Sequence, residues 1–472
     1  MIYNYQNNIF GETLKEIKKA IKGTKFENHV FLVGGAVRDS LLGKPMKDID
    51  LCVDMPNGGI EFAEWICKEY GCYKQNSNPC VFPKYGTAKF NLKSLHSLSD
   101  VAIECVQTRK EQYHEDSRKP ETSFGTLEED CLRRDLTINA LYVNLSTDIV
   151  IDPCGLGLDD LNNCVIRTPS NPDIVFEDDP LRMLRVIRFA TKLGWGINKD
   201  TWVGIVQNCY RIPIVSKERI TDELGKILLC EKPSIGFVRL EKCGLLERIL
   251  PEVHNLVGVT QGYQHFGDVF EHTMSVIDKT SPVLTHRWAS LLHDIGKPNV
   301  KTLIGNKIRF LSHDSVGENI AINLLKRMKF SNSDINKISI GVRNHMRFKS
   351  SGNSCPSNKA LRKLIADVGV DNLAIVLDVI NADNNSHAKQ YCLPDQVKLI
   401  IDKLETMKNG NKDELAIKLP INGKDIMQAF NLKQSPKIGV LLDAVKEFVI
   451  DNPNASKEDC LDFISDKIKD GI

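Results

Sequence analysis

Several things are scarce in this sequence of 472 residues. No uncharged run reaches the ~20 residues that a helix needs to cross a bilayer. No charged-then-apolar segment opens the chain in the manner of a secretory signal. Both absences lead to the expectation of a cytoplasmic protein with no membrane partner. None of the 14 cysteines stands in a CxxC pair, Cys67 and Cys72 being the nearest two. That spacing argues against a cysteine zinc cluster and favours free thiols in a reducing compartment. Net charge is nearly absent as well, since 62 basic and 61 acidic side chains leave +1. A nucleic-acid partner is therefore neither required nor excluded, because a local basic face matters more than the sum. There is no tandem repeat and no low-complexity tract.

What is present is an ordinary globular composition, 42% hydrophobic and 26% charged. At ~100–200 residues per domain, the length predicts three or four domains, each able to bury a core. The first 150 residues read as α/β. VFLVGGA is a short apolar strand ending in glycines, AVRDSLLG a helix stopped at Gly43, and IDLCVD and VAIECV two more strands. From about residue 175 the spacing turns helical. DPLRMLRVIRFATKLG places Leu181, Leu184, Ile187 and Phe189 to Ala190 near one stripe and ends at Gly194. The changes of character give four expected domains, 1–165, 166–255, 256–390 and 391–472.

The first chemical signal is KDID. In a strand, alternate side chains share a face, so Asp48 and Asp50 project the same way, ~7 Å apart. Two such carboxylates repel unless a cation lies between them, and hard oxygen ligands suit Mg²⁺. A bare DxD is more often a solvated turn. Gly34 and Gly35 stand where a strand passes into a helix, which lets backbone N–H groups approach a phosphate. Arg38 lies one turn further on. Glu104 in VAIECV is a third acid, with a surface position on an edge strand as its plain alternative. The combination favours nucleotidyl transfer.

Five spaced motifs, GGAVRD, KDID, RRDLTINALYVN, DPCGLGLDDL and DDPLRMLRVIRFA, stand in the order of the bacterial-type (class II) CCA-adding tRNA nucleotidyltransferases. The chain resembles that family, and its relatives the bacterial poly(A) polymerases, specifically over residues 30 to about 225 and more weakly beyond. The resemblance implies a polymerase-β-type α+β head, then an all-α neck, body and helical tail. It implies tRNA, ATP and CTP as partners and pyrophosphate as product. Asp48 and Asp50 would hold Mg²⁺, with Glu104 as an added catalytic acid. Gly34, Gly35 and Arg38 would steady the triphosphate, and Arg134, Asp135 and Asn139 would meet the nucleotide near its ribose. Asp179 and Arg182 would read the base edge in place of a template. Asp178 stands where the family more often has glutamate. Arg185 and Arg188 continue that stripe toward nucleotide or tRNA phosphates, or else form a solvated face. YHEDSRKPETSFG, with Arg118, Lys119 and Pro120, resembles the family's flexible loop and implies complete CCA addition.

A second constellation begins at HDIGK. Adjacent His293 and Asp294 can ligate a metal when other elements bring further donors. His272, His313, His345 and Asp383 are the candidates, in an order resembling the HD phosphohydrolases. That likeness implies a transition-metal or other divalent ion, and either a phosphohydrolase or an RNA-binding body. Lys424, Lys433 and Lys437 in the tail are either tRNA contacts or solvated. The alternatives to CCA addition are poly(A) synthesis, or chiefly an HD phosphohydrolase or RNA-binding role.

Overall fold

The computed structural model describes residues 1–69, 79–93, 100–114, 117–262, 267–305, 307–349, 352, 354–410 and 419–469. The chain forms two compact units. One comprises Met1–Ile227 with Arg239–Ile249, the other Leu228–Val238 with Leu250–Ile472.

The first unit is built on a mixed seven-stranded sheet. Its strands are β1 (Val30–Val33), β2 (Ile49–Val53), β3 (Cys80–Phe82), β4 (Thr87–Lys93), β5 (Asp100–Gln107), β8 (Tyr142–Asn144) and β9 (Val150–Ile151). The spatial order is β3-β4-β5-β2-β1-β8-β9. Only β2 and β5 run parallel within it. Between β5 and β8 the chain forms a separate antiparallel hairpin of β6 (Arg109–His114) and β7 (Ser117–Phe124). The short β10 (Val165–Ile166) and β11 (Gly196–Ile197) pair parallel.

Period-two alternation decides which side chains meet the core. On β1, Val30 and Leu32 enter one hydrophobic cluster, whereas Phe31 and Val33 enter another on the opposite face. On β2, Ile49, Leu51 and Val53 join the first cluster, which also takes up residues of the helices Ile9–Ile21 and Gly58–Glu69. Asp50 and Cys52 must then face the other way. The same alternation on β5 buries Val101, Ile103 and Cys105 and presents Glu104 on the face of Asp50. On β4, Ala88, Phe90 and Leu92 are buried, which leaves Lys89 on that face too.

The register lines these residues up: Asp50 lies opposite Glu104, Glu104 opposite Lys89, and Lys89 opposite Cys80. Glu104 is therefore on an interior strand, and the edge-strand alternative falls. Sequence-predicted strands and helices in this unit are found close to their expected limits. The helix Gly35–Leu41 is followed by Gly43 at φ 66°, and Leu181–Leu193 ends on the left-handed Gly194.

The second unit is helical, apart from the hairpin β12 (Lys301–Ile304) and β13 (Lys307–Phe310). Helices Val269–Lys279, Leu284–Leu292, His313–Arg327, Asn332–Asn344 and Leu373–Asn384 supply the inner wall of its candidate metal centre. Towards the C-terminus, Gly423–Ala429, Pro436–Asp451 and Lys457–Lys469 share a smaller core around Leu441, Val445 and Ile464. Ion pairs Lys359–Asp451 and Lys363–Glu447 join it to the helix Asn358–Val368. No helix among the described residues is long and apolar enough to cross a membrane.

Candidate active site and a second metal centre

Asp48 precedes β2 by one residue and Asp50 is its second. Gly34, at φ 71°, brings the backbone against this pair. A Cβ added there would lie 3.7 Å from Asp50 Oδ2 and 3.9 Å from Arg134 Nη1. Those are ordinary contacts, so what disfavours a side chain at 34 is the φ. Burial, then Asp48 and Glu104, push the Asp50 carboxyl up to about 6 against the pull of Arg134 and Lys89. That environment favours a proton on Asp50, or a cation in its place. Hard oxygens of this kind suit Mg²⁺, so the donor set fits the ion the sequence implies. Glu104 has a cationic partner, Lys89 Nζ at 2.8 Å.

Beside the carboxylates lies a cavity of about 320 Å³ reached by Arg38, Lys47, Arg134, Arg185, Arg188 and Lys192. Arg38 is 3% exposed, hydrogen-bonded to Asn139 and Asp39, and lies over the Phe189 ring at 4.9 Å. Arg188 lies over the same ring at 4.3 Å. Burial, opposed by Glu223 and reinforced by Arg185, holds the Arg188 guanidinium below its usual range. Asp39 and Asp135 stand on the same wall, so a polyanion would meet the cations in excess of these two acids, apart from the Asp48–Asp50 pair.

Arg133, Arg134 and Asp135 follow the end of the helix Leu127–Leu132. Asp130, fully buried, holds Arg134 by Oδ2, to its Nη2 at 2.8 Å, and Arg133 by Oδ1. It also accepts from Tyr142 Oη at 2.6 Å. Burial raises the Asp130 carboxyl, but Arg134 and Arg133 hold it well below the usual range. Asp135 accepts from Asn139 at 3.1 Å and from Arg185 Nε at 2.7 Å. Against its burial, Arg185 leads in keeping Asp135 ionised.

The helix Leu181–Leu193 does not carry the solvated basic face that its charge pattern allowed. Arg185 pairs with Asp135, and Arg188 with Glu223 at 2.8 Å. Asp179 and Arg182, expected to read the base together, have separate partners here. Arg182 is 8% exposed, with Nη1 donating to Val175 O, whereas Asp179 is gripped by Arg219 at 2.7 Å. Asp178 lies 3.9 Å from Arg182. Sequence reasoning missed Asp130, Arg219 and Glu223. The signal for the last two was KERITDEL, where a cation and an acid four apart share one helix face.

Of the loop-like stretch 113–125, residues 117–124 form β7, and 115–116 lie outside the described residues. The side chains of Arg118, Lys119 and Pro120 also lie outside them. Cys72 does too, while every described cysteine is free. Lys424, Lys433 and Lys437 are exposed.

In the helical unit, all six expected ligands converge. His272, His293 and Asp383 form one trio, and Asp294, His313 and His345 another, with potential ligand atoms within 4.8 Å in each. All six are buried. His293 and His345 immediately follow the ends of their helices, and His313 begins one. Gly296 of HDIGK lets that last helix approach, since a Cβ at 296 would lie 2.2 Å from His313 O.

The rings of His293, His313 and His345 each place Nδ1 at 2.7 Å from a backbone carbonyl, Ser290 O, Phe310 O and Val342 O. An Nδ1–H donor leaves Nε2 as a lone pair directed inward. His313 Nε2 and His345 Nε2 are 3.1 Å apart. Burial, with His293 and His313 beside it, lowers the pKa of His345. Two neutral lone pairs cannot satisfy each other at that distance, whereas a cation between them can. His293 Nε2 lies 3.1 Å from Asp294 Oδ2, which also pairs with Lys297 Nζ at 2.6 Å, so the carboxylate already gathers cationic and imidazole groups around it. The donor set fits a divalent metal of borderline softness. His387, which the sequence reading did not single out, meets the His272 ring edge to face at 5.5 Å and contacts Lys349 at 3.2 Å. A cavity of about 590 Å³ opens beside the cluster, with Lys297, Arg309, Lys349 and Tyr391 on its wall.

Three family descriptions match consecutive parts of the chain. "Poly A polymerase head domain" matches residues 30–167, and "Probable RNA and SrmB-binding site of polymerase A" matches 194–256. "tRNA nucleotidyltransferase domain 2 putative" matches 309–464. The A-adding tRNA nucleotidyltransferase of Deinococcus radiodurans is 28% identical over 88% of this chain and 90% of its own. The multifunctional CCA protein of Chromobacterium violaceum is 32% identical over 64% and 70%. The mitochondrial CCA tRNA nucleotidyltransferase of Candida glabrata is 36% identical over 45% of this chain, which spans 42% of that protein's length. Among solved structures, the Bacillus stearothermophilus CCA-adding enzyme in complex with CTP superposes with a TM-score of 0.66. That likeness covers 98% of both chains at 21% identity, a likeness of fold. The extent of the multifunctional CCA protein match, on a head with these carboxylates beside this basic cavity, makes the chain an enzyme of the CCA-adding tRNA nucleotidyltransferase family.

Proposed function

We propose that this protein adds CCA to the 3′ end of tRNA from CTP and ATP, without a nucleic-acid template, and releases pyrophosphate in the cytosol. The observation that carries this reading is the carboxylate pair at the start of β2 beside a cavity walled by six cations. Asp48 and Asp50 would hold Mg²⁺, with Glu104 across the register from Asp50. When bound, the metal supplies charge stabilisation to the attacking and leaving oxygens. Arg38, Arg188 and Lys192 bind phosphate oxygens, while Gly34 and Gly35 let the backbone approach. Asp130 orients Arg134, and Arg185 orients Asp135, so that both face the nucleotide near its ribose. Asp179 and Arg182 select the base. Residues 166–255 and 391–472 would form the neck and tail that hold tRNA.

Within the helical body, residues 256–390, we propose an HD-type metal centre made by His272, His293, Asp294, His313, His345 and Asp383. Its work would be phosphohydrolysis of a phosphate ester held against Lys297 and Lys349. A second reading, addition of the terminal A alone, is favoured by the Deinococcus radiodurans relative, whose match spans nearly the whole of both chains.

One experiment separates these readings. Transcripts of a tRNA ending at the discriminator base, at C and at CC are incubated with ATP, CTP and Mg²⁺, and the products are sequenced. CCA on the shortest end supports the first reading. A single A on the CC end alone supports the second, and a long A tail supports poly(A) synthesis. No extension, with hydrolytic opening of a separately supplied 2′,3′-cyclic phosphate to the monoester, would leave only the hydrolytic role.

A further inference from the structure

The base-selecting acid is not free to choose. Asp179 has its Oδ1 on the backbone N–H of Leu181 at 3.1 Å, which ties it to the start of the helix Leu181–Leu193. Arg219, from the helix Lys217–Leu228, spans both carboxylate oxygens, with Nη2 to Oδ2 at 2.7 Å and Nη1 to Oδ1 at 3.4 Å. A guanidinium fork on a carboxylate fixes the plane of the acid as well as its position. The Arg219 side chain is 53% exposed and that of Asp179 24%, so this contact is open to solvent and able to shift. Its neighbour Glu223, one turn further along, has no such freedom. It is 2% exposed and receives Arg188. One helix thus presents a fixed clamp to Arg188 and an adjustable one to Asp179.

Resting on the reading of the head as a CTP- and ATP-using transferase, we propose that Arg219 is a specificity-determining residue that sets the choice between C and A through Asp179. Cytosine and adenine both offer an exocyclic amine to a carboxylate acceptor. The amine of adenine lies farther from its ribose, because the imidazole ring stands between. With the ribose end held near Arg134 and Asp135, Asp179 must stand in one place for C and another for A. The fork of Arg219 makes leaving the first place unfavourable. How strongly it holds sets how sharply the two bases are told apart. Arg219 need not touch the nucleotide, so its role is to position Asp179.

The test measures kcat/KM for CTP and for ATP on the three tRNA ends with wild type, Arg219→Gln and Arg219→Lys. Arg219→Gln is expected to compress the CTP-to-ATP ratio, at each end where wild type discriminates, on the order of fivefold, the worth of a solvent-exposed ion pair. Arg219→Lys, which keeps the charge and loses the fork, falls between. In the Asp179→Ala background, Arg219→Gln is expected to change the ratio no further, because the two act as one unit. If both rates drop together and the ratio holds, Arg219 is only a prop for the fold and the proposal fails. An additive double variant overturns it as well. A wild-type chain that extends no end sinks the transferase reading itself, and this inference with it.

Discussion

Two places in this molecule prepare a seat for a divalent cation, and they are built on opposite logic. In the head, oxygen donors stand at the opening of a strand. Asp48 is exposed, Asp50 half-buried, and both face a cavity lined with cations. In the helical body, four imidazoles and two carboxylates are buried, and three rings are fixed by backbone carbonyls. The first arrangement suits an ion that arrives with a triphosphate and leaves with pyrophosphate. The second suits an ion that stays. The difference teaches that donor softness and enclosure change together: water-loving Mg²⁺ is left partly hydrated, while an imidazole site can be dried out and closed.

The largest effect that would break this contrast is on chemistry in the head. Asp50→Ala or Asp48→Ala is expected to lower nucleotide addition by roughly a thousandfold or more, which corresponds to several kcal/mol of lost charge stabilisation. The melting temperature of the metal-free protein should not fall, because the side chains are not part of the core and Asp50→Ala relieves a buried carboxylate held beside two others. Retained addition would remove the metal assignment.

Next comes Asp130→Asn, which takes from the Arg134 guanidinium the buried carboxylate charge that holds it. A loss of about 3–5 kcal/mol of stability in urea unfolding is expected, together with weaker discrimination of ribo- from deoxyribonucleotides. Unchanged unfolding would show that Arg133 and Arg134 find other partners.

His293→Ala tests the other side of the comparison. It should strip the purified protein of tightly held metal, as read by elemental analysis, and remove any cyclic-phosphate hydrolysis. Nucleotide addition should continue. Loss of both activities together would mean that the two centres are not independent.

The smallest effect is a pH dependence confined to the head. Asp50 has its pKa raised to about 6, from an ordinary value near 3.8, by burial and by the neighbouring acids. In the metal-free protein the folded state therefore binds more protons between those values, and this contribution to stability is lost as pH rises through about 6. Mg²⁺ must displace that proton. The rise in melting temperature on adding Mg²⁺ should accordingly grow from pH 5 to pH 7, and Asp50→Asn should flatten the trend. A Mg²⁺ effect equal at both pH values would count against Asp50 as the ligand.

Much of this was legible in the residues. The apolar–polar alternation of IDLCV and VAIEC fixes which face Asp50 and Glu104 occupy, and the left-handed Gly34 and Gly194 mark turns that only local chemistry decides. The six candidate ligands that converge were also readable, from the adjacent pair in HDIGK and the order of the other His and Asp along the chain. What stayed hidden is pairing across distance. No period in the sequence tells that Asp130 neutralises Arg134, or that Arg219 grips Asp179 from 40 positions away. The same blindness left a solvated face open as the alternative for Arg185 and Arg188, since their counter-charges, Asp135 and Glu223, lie outside the helix Leu181–Leu193.

The row of Asp50, Glu104 and Lys89 across three adjacent strands carries a consequence for how defective copies of this protein behave. A slip of β2 by one residue would turn Leu51 outward and drive Asp50 into the apolar cluster beneath. Misalignment there would forfeit the core and the chemistry in the same stroke. A shifted strand should thus send the chain to proteolysis instead of leaving an idle enzyme to occupy substrate.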